Sequence, residues 1–426
     1  MKLFQKISVM VWLIAILAMN ALASVPTAAP PRSDQQRLRW KNASIKIALS
    51  SSLTQPSSNI KTDSDVLGAL RRSIEIWQSV ADVEFELVMS DKQNVSPSGV
   101  AGDRVNLITI AQSPDNVLLF SKTPQTESAK TRVFYNGIGH ITEADIVLNP
   151  FQQFSTDGTF GTFDLESTLT QEIGHLLGLR HSGVLGATMA DSTAKNGNFG
   201  FVDFGYRSLA ESDIAAARDL YGAFTDDACC AAISGKLTNG SAKPAKLRVW
   251  AEESKTGRVM GQVEAASDGS FRLGGLHVGT YSVFWQKLGA PGASTIGQLG
   301  TFDLEMDETR VVDEKVNFHA TELTLDYVGI NGQLADLAVP LSAGRDYLIY
   351  IGGNNIRSEQ ITINFSSPFL KASQDLPFDR DFGQNVSAAG FVISVDKETP
   401  PGVYSIFATG VDGSRTSLIG ALNVEN

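Results

Sequence analysis

The sequence predicts a multidomain protein. An α/β (α+β) unit with a mixed sheet and three helices spans residues 40–222, and two all-β sandwich domains follow at 233–317 and 318–426. Three observations lead there. A chain of 426 residues with 42% apolar content can bury several cores. Apolar residues recur at helical spacing in three segments before Gly222, with strand-like runs between the first two. Beyond residue 232 the pattern turns to alternation broken by Gly, Asn and Asp turns.

The elements follow in chain order. Lys2 and Lys6, the largely apolar run 7–17 and the small-x-small triplet Ala21, Leu22, Ala23 read as an export peptide over 1–23, so the protein is expected to be secreted. The apolar run falls short of the roughly 20 residues that a spanning helix needs, and no membrane span is expected once that peptide is removed. Residues 24–39, with Pro26, Pro30 and Pro31, read as a flexible lead-in. A first strand is predicted at 44–49. A helix follows over 63–80, where Val66, Leu67, Leu70, Ile74 and Trp77 form one face and Asp63 or Ser64 can cap it.

Strands are predicted at 83–88, 105–110, 117–120, 132–135 and 144–148, with Asn136-Gly137 as the turn between the last two. A second long helix is predicted over 163–179, capped by Thr162 or Asp164. The third carries Ile214, Ala217, Leu220 and Tyr221 on its apolar face, with Ser208 and Glu211 as a capping box and Gly222 as its stop. Residues 223–232 read as a linker. Strands at 233–237, 246–252, 258–263, 270–273 and 280–285 argue one sandwich, and those at 346–351, 360–365, 389–394 and 403–408 a second.

Composition narrows the partners. A formal charge of −11 without dense Lys/Arg runs leaves no footprint for phosphate backbones, so nucleic acid is not an expected partner. The two cysteines, Cys229 and Cys230, are adjacent, so no disulfide framework holds the chain together. Free thiols, a bridge within the pair and an intermolecular link are all compatible with it. Oligomeric state is not encoded in any feature of the sequence.

The chemistry concentrates in residues 170–181, TQEIGHLLGLRH. On a helix, residues 171 and 175 lie four apart and share a face. Gly178 supplies a residue that tolerates positive φ where the helix must end, and His181 follows three residues later, placed to turn back toward the same point. Three donors with a fourth position left for water is the arrangement of a catalytic zinc site.

This stretch, with Ala187-Thr188-Met189 after it, resembles the metzincin zinc endopeptidases and specifically the matrixins, whose pattern is H-E-x-x-H-x-x-G-x-x-H followed by a methionine turn. Flanking segments 144–146, 163–167 and 209–222 extend the likeness over roughly 40–222. The resemblance implies Glu172 as general base, His175 and His181 as zinc ligands, Met189 as the turn methionine, Zn²⁺ as cofactor and a protein or peptide as substrate. Gln171 stands where the first ligand histidine belongs. Its amide oxygen is a hard donor better suited to Ca²⁺ or Mg²⁺ than imidazole is, so a weakened zinc site is expected.

His140 is the one other histidine of this unit, since His277 and His319 fall in the sandwich regions; the sequence favours a structural role for it. No cysteine precedes the motif to act as a thiolate latch. Residues 233–283 resemble the carboxypeptidase regulatory-like (transthyretin-like) sandwich, and the final region looks immunoglobulin-like. Substrate targeting and a rigid spacer are the two roles these suggest. The sequence thus leaves an active metalloendopeptidase beside an inactive relative that works as an extracellular binding or adhesion protein.

Overall fold

The computed structural model describes residues 37–97, 101–202, 205–225, 228–239, 246–288, 295–317, 322–373, 378–383 and 386–425. The export peptide, residues 24–36 of the lead-in and His319 lie outside the described residues.

The N-terminal unit runs β1 (Arg39–Trp40), β2 (Ser44–Ser50), α1 (Val66–Gln78), β3 (Glu84–Ser90), β4 (Asn106–Thr109), α2 (Pro114–Leu119), β5 (Ala129–Tyr135), β6 (His140–Leu148), β7 (Phe154–Ser155), β8 (Phe163–Asp164), α3 (Leu165–Leu176) and α4 (Glu211–Tyr221). β6, β4, β2 and β3 pair in parallel, with β1 beside the first residues of β6. β5 is antiparallel to β6 and joined to it through a turn at Asn136, whose Oδ1 accepts from Ile138 N and His140 N. Among the described strands β5 pairs with β6 alone.

α1 and α3 pack on one face of this sheet around Ile47, Leu49, Leu70, Trp77, Ile146, Leu169 and Ile173, all buried. Two hydrogen bonds lock the helices in register: Trp77 Nε1 donates to Thr170 O at 2.8 Å and Ser73 Oγ to Glu166 O at 3.1 Å.

Several sequence expectations shift here. α1 is capped by Asp65, which accepts from Gly68 N at 2.9 Å, and not by Asp63 or Ser64. The run 117–120, expected as a strand, forms the end of α2 and its C-cap Phe120: Ser113 caps the start and Pro114 occupies the first turn, where a fixed φ and a missing N–H cost nothing. The described residues therefore hold four α-helices where three were expected. α4 is not opened by a Ser208–Glu211 box. Ala210 is its N-cap residue, and Asp213 accepts from Ala210 N at 2.9 Å.

β9 (Cys229–Thr238) begins earlier than residue 233 and carries the two cysteines, which are bonded to each other. With β10 (Lys246–Glu253), β11 (Val259–Glu264), β12 (Ser270–His277), β13 (Gly279–Leu288), β14 (Ile296–Leu304), β15 (Thr309–Val311) and β16 (Glu314–Lys315) it makes two sheets, ordered β11-β10-β13-β14 and β12-β9-β15, the latter with β16 also on β9. Tyr281, Val283 and Trp285, spaced by two along β13, turn into a core shared with Ile233, Phe271 and Leu273.

The last region comprises β17 (Tyr327–Ile330), β18 (Val339–Ser342), β19 (Arg345–Gly353), β20 (Ile361–Phe365), β21 (Leu370–Ala372), β22 (Phe378–Asp381), β23 (Ser387–Val395), β24 (Gly402–Gly410) and β25 (Arg415–Glu425). Its sheets, β17-β19-β23-β21 with β22 on β23 and β18-β25-β24-β20, enclose a second core. Both regions fit a β-sandwich arrangement.

The three regions pack on one another. α4 lies on β11 and β12, close enough that a Cβ on Gly275 would sit 2.0 Å from the Ala215 carbonyl oxygen. Val184 and Ala187 from the loop after α3 share a small buried cluster with Trp250 and Val259 of the middle region and Val403, Phe407 and Ile419 of the last. The same connection carries His181, so its supports bear on the position of that side chain.

Candidate functional site

α3 starts where Asp164 accepts from Ser167 N at 2.9 Å, and Arg207 clamps the same carboxylate with Nε at 2.9 Å and Nη2 at 2.6 Å. The helix ends in a paired C-terminal motif: Gly178 N donates to His175 O at 2.9 Å and Leu179 N to Gly174 O at 3.0 Å. Gly178 takes φ +100°, and a Cβ there would lie 2.3 Å from the Leu38 carbonyl oxygen. Glycine is thus required twice over, by backbone conformation and by the close approach of the β1 lead-in.

This reversal delivers His181 to the helix face that bears His175. The two imidazole rings lie edge to face with centroids 4.7 Å apart. His175 Nδ1 pairs with Leu179 O at 3.0 Å, and His181 Nδ1 with Asp191 Oδ1 at 2.7 Å. With each Nδ1 acting as donor, the lone pair of each ring sits on Nε2, the arrangement that outer hydrogen bonds impose on metal-binding imidazoles. Partial burial and the neighbouring His175 lower the pKa of His181, against the pull of Asp191, which favours the neutral ring.

Glu172 is buried, not displayed on an exposed helical surface. Thr131 of β5 donates its hydroxyl to Glu172 Oε2 at 2.5 Å. Burial raises the Glu172 pKa to about 7, opposed by the Thr131 hydrogen bond and by the charge of His181. That value suits a group that must both take and return a proton near neutrality. Gln171 is also buried, and its Nε2 donates to Ala190 O at 2.7 Å.

Met189 lies beneath the helix, its sulfur packed so closely on Gly174 that a Cβ there would sit 2.3 Å away. The turn that holds it is fixed by Ser182 N donating to Met189 O at 2.6 Å and by Asp213, which accepts from Thr188 N at 2.8 Å and Met189 N at 3.2 Å. Burial pushes the Asp213 carboxyl up to about 6 despite these donors.

Gln171, Glu172, His175 and His181 all line one cleft of about 970 Å³, bounded on one side by β5 and on the other by residues 191–195. The structure therefore unites the four motif residues and places Met189 and Gly178 as their supports. His140 is the first residue of β6, paired with Arg39, and is not among the residues lining the cleft. Sequence reasoning did not assign Thr131, Asp191 or the carboxylate role of Asp213. Thr131 fell just outside the strand predicted at 132–135, Asp191 was visible only as the second residue after Met189, and Asp213 lay within the segment of family likeness.

The donor set fits a metal ion, with two imidazoles side by side and a buried carboxylate in the same cleft. The third donor would be Gln171 Oε1, since the amide nitrogen is committed to Ala190. Among the described residues no group of three His, Cys, Asp or Glu side chains is placed to hold a metal ion.

Residues 39–222 match the matrixin family model (Peptidase M10). The first region is thus a matrixin-like domain, and the match supports a metalloprotease-like function and zinc binding as that family's property. It spans less than half of the chain. A comparison with curated proteins finds no match. Among solved structures, the Bacteroides ovatus mixed-linkage glucan utilization locus SGBP-B, in complex with mixed-linkage heptasaccharide, is 14% identical, with 45% of this chain and 43% of that chain covered and a TM-score of 0.18. A C-terminal 282-residue fragment of intimin, in complex with the translocated intimin receptor's intimin-binding domain, is 12% identical, with 43% of this chain and 54% of that chain covered and a TM-score of 0.14. The chain spans about half the length of these two structures, and likeness at this level bears on neither fold nor site. Among the described residues no helix is long and apolar enough to cross a membrane.

Proposed function

We propose that the protein is an exported, zinc-dependent endopeptidase of the matrixin kind, working through a site weakened by Gln171. The observation that carries this reading is the convergence of His175 and His181, ring centroids 4.7 Å apart, in the cleft that also holds the buried Glu172. His175 Nε2, His181 Nε2 and Gln171 Oε1 would hold the ion. The chemistry a zinc ion supplies there, when bound, is Lewis-acid polarisation of the scissile carbonyl and a water acidified to a pKa of about 7.

The chain's own residues account for the rest. Glu172 takes the proton from the attacking water and returns it to the leaving amine, which its pKa of about 7 allows in both directions. Thr131 holds that carboxylate against β5. Residues 129–131 and 133 of β5 border the cleft, and an extended peptide would add there as a further strand through its backbone N–H and C=O groups. Asp191 and Leu179 fix the two imidazole tautomers.

The reading is tested by metal analysis of the purified secreted chain together with casein or gelatin cleavage. Near-stoichiometric zinc and chelator-sensitive cleavage that vanishes in Glu172→Gln are the expected results. Absence of metal and of cleavage, with cleavage appearing in Gln171→His, would instead place the natural chain among inactive relatives that act as binding or adhesion proteins.

A further inference from the structure

The matrixin-like domain does not supply the whole cleft. Asp336, from the last β region, lines it beside residues 191–195 and is hydrogen-bonded by Ser192 Oγ at 2.5 Å. Ser192 adjoins Asp191, the partner of His181, and Asp336 lines the same cleft as the two imidazoles. Among the described residues no Lys or Arg is ion-paired with Asp336. Lys195, also on the cleft, lies over the Phe163 ring, its Nζ 5.2 Å from the centroid.

The mount is built, not incidental. Ala335 and Val328 exchange both backbone hydrogen bonds, at 2.9 and 3.0 Å, and Leu337 is buried in the core of the last region. On the facing side, Phe199 from the matrixin-like domain inserts into that same core. Gln333 Oε1 accepts from Phe199 N at 2.7 Å, and Asn331 Nδ2 donates to Phe199 O at 2.7 Å. The segment 331–336 and the cleft wall at 191–199 are thereby tied together at both ends.

We infer that Asp336 is a specificity-determining residue, presented by the last β region to select a lysine or arginine side chain close to the scissile bond of a peptide substrate. This rests on the endopeptidase reading. An exposed carboxylate held by a hydroxyl and lacking a cation partner leaves negative charge for a substrate cation to meet, and a glutamate at the same subsite meets repulsion. Fixing the carboxylate on a rigid loop lowers the ordering cost of that contact.

The test uses the full chain and a set of fluorogenic decapeptides identical except for Lys, Gln or Glu placed at each position around the scissile bond. At one position the Lys peptide is expected to show kcat/KM about three- to tenfold above its Glu counterpart, the range that a partly screened charge contact supports. The isosteric Asp336→Asn is expected to bring that ratio near one, and Asp336→Lys to invert it. Fluorescence anisotropy of the same peptides on Glu172→Gln, with and without Asp336→Asn, reads the preference as binding without turnover. If the unaltered chain cleaves or binds the peptides but its Lys/Glu ratio survives both Asp336 substitutions, the inference is overturned and the endopeptidase reading stands. If it neither cleaves nor binds any member of the set, both fall.

Discussion

Gln171 donates its side-chain amide to the carbonyl of Ala190 at 2.7 Å, tying the helix that carries Glu172 and His175 to the turn beyond Met189. The residue is therefore a structural brace as well as a poor metal donor. Replacing it by histidine exchanges that brace for an imidazole nitrogen on the helix face already occupied by His175. Zinc affinity should rise at least about 10–100-fold, the scale on which even outer partners of metal ligands act. Competition titration against a chromophoric chelator measures this without reference to turnover. An unchanged affinity would mean that residue 171 does not face the ion.

Asp213 predicts the mechanical importance of the methionine turn. Its carboxylate accepts three backbone N–H groups, from Thr188, Met189 and Ala210, in a buried setting. Asp213→Ala leaves those donors without a partner, each costing about 1–3 kcal/mol when desolvated, with less than full additivity. A loss of about 3–5 kcal/mol in urea unfolding is expected on that basis. Asp213→Asn, which keeps one carboxamide oxygen, should lose less. Equal stability of all three chains would remove the turn from the list of elements that hold Met189 under the helix.

The sequence revealed most where one residue type answers one physical demand. Gly178 announced its own left-handed φ, and Gln171 and His175 announced a shared helical face by their spacing of four, while the return of His181 to that face follows from the reversal at Gly178. Short apolar runs were ambiguous: residues 117–120 suit a strand as well as a helix, and Ser113-Pro114 ahead of them decided for the helix. The caps of α1 and α4 moved by a residue or two because several acids and hydroxyls compete at each start. Contacts across regions were not legible at all. Nothing in the local pattern around Asp336 or Phe199 shows that residues more than 130 positions apart in the chain meet at the cleft, since such pairing depends on how separately formed cores dock.

Phe199 makes that docking measurable. It is a bulky residue held at φ +54°, a conformation that costs about 1–3 kcal/mol and persists only where surroundings over-determine it. Here the surroundings are the core of the last region and the hydrogen bonds from Asn331 and to Gln333. Phe199→Ala should destabilise the chain by about 3–5 kcal/mol, as for other buried Phe truncations. It should also speed limited proteolysis between residues 191 and 201 well before global unfolding. Proteolysis at the natural rate in a destabilised variant would show that the loop is held by the matrixin-like domain alone.

Glu252 sits at the junction of the two β regions, buried, with Trp250 Nε1 at 2.9 Å and Ser405 Oγ at 2.7 Å both donating to Oε1. Burial raises its pKa from 4.5 to about 7, outweighing both hydrogen bonds. The folded chain therefore holds a proton between those two values that the unfolded chain has released. The sign follows: this group's relative stabilisation is complete below pH 4.5 and is lost as pH rises through about 7. The loss amounts to at most about 3 kcal/mol. Asp145 and Asp213, raised to about 7 and about 6, act in the same direction, so the slope of the natural chain alone does not isolate Glu252. Glu252→Gln does, because its amide oxygen can accept both donors and carries no proton to lose. The variant should match the natural chain in Tm near pH 4.5 and exceed it near pH 8, with the gap opening between those limits. Parallel Tm curves across that range would mean that the carboxylate ionises as readily in the folded junction as in the unfolded chain.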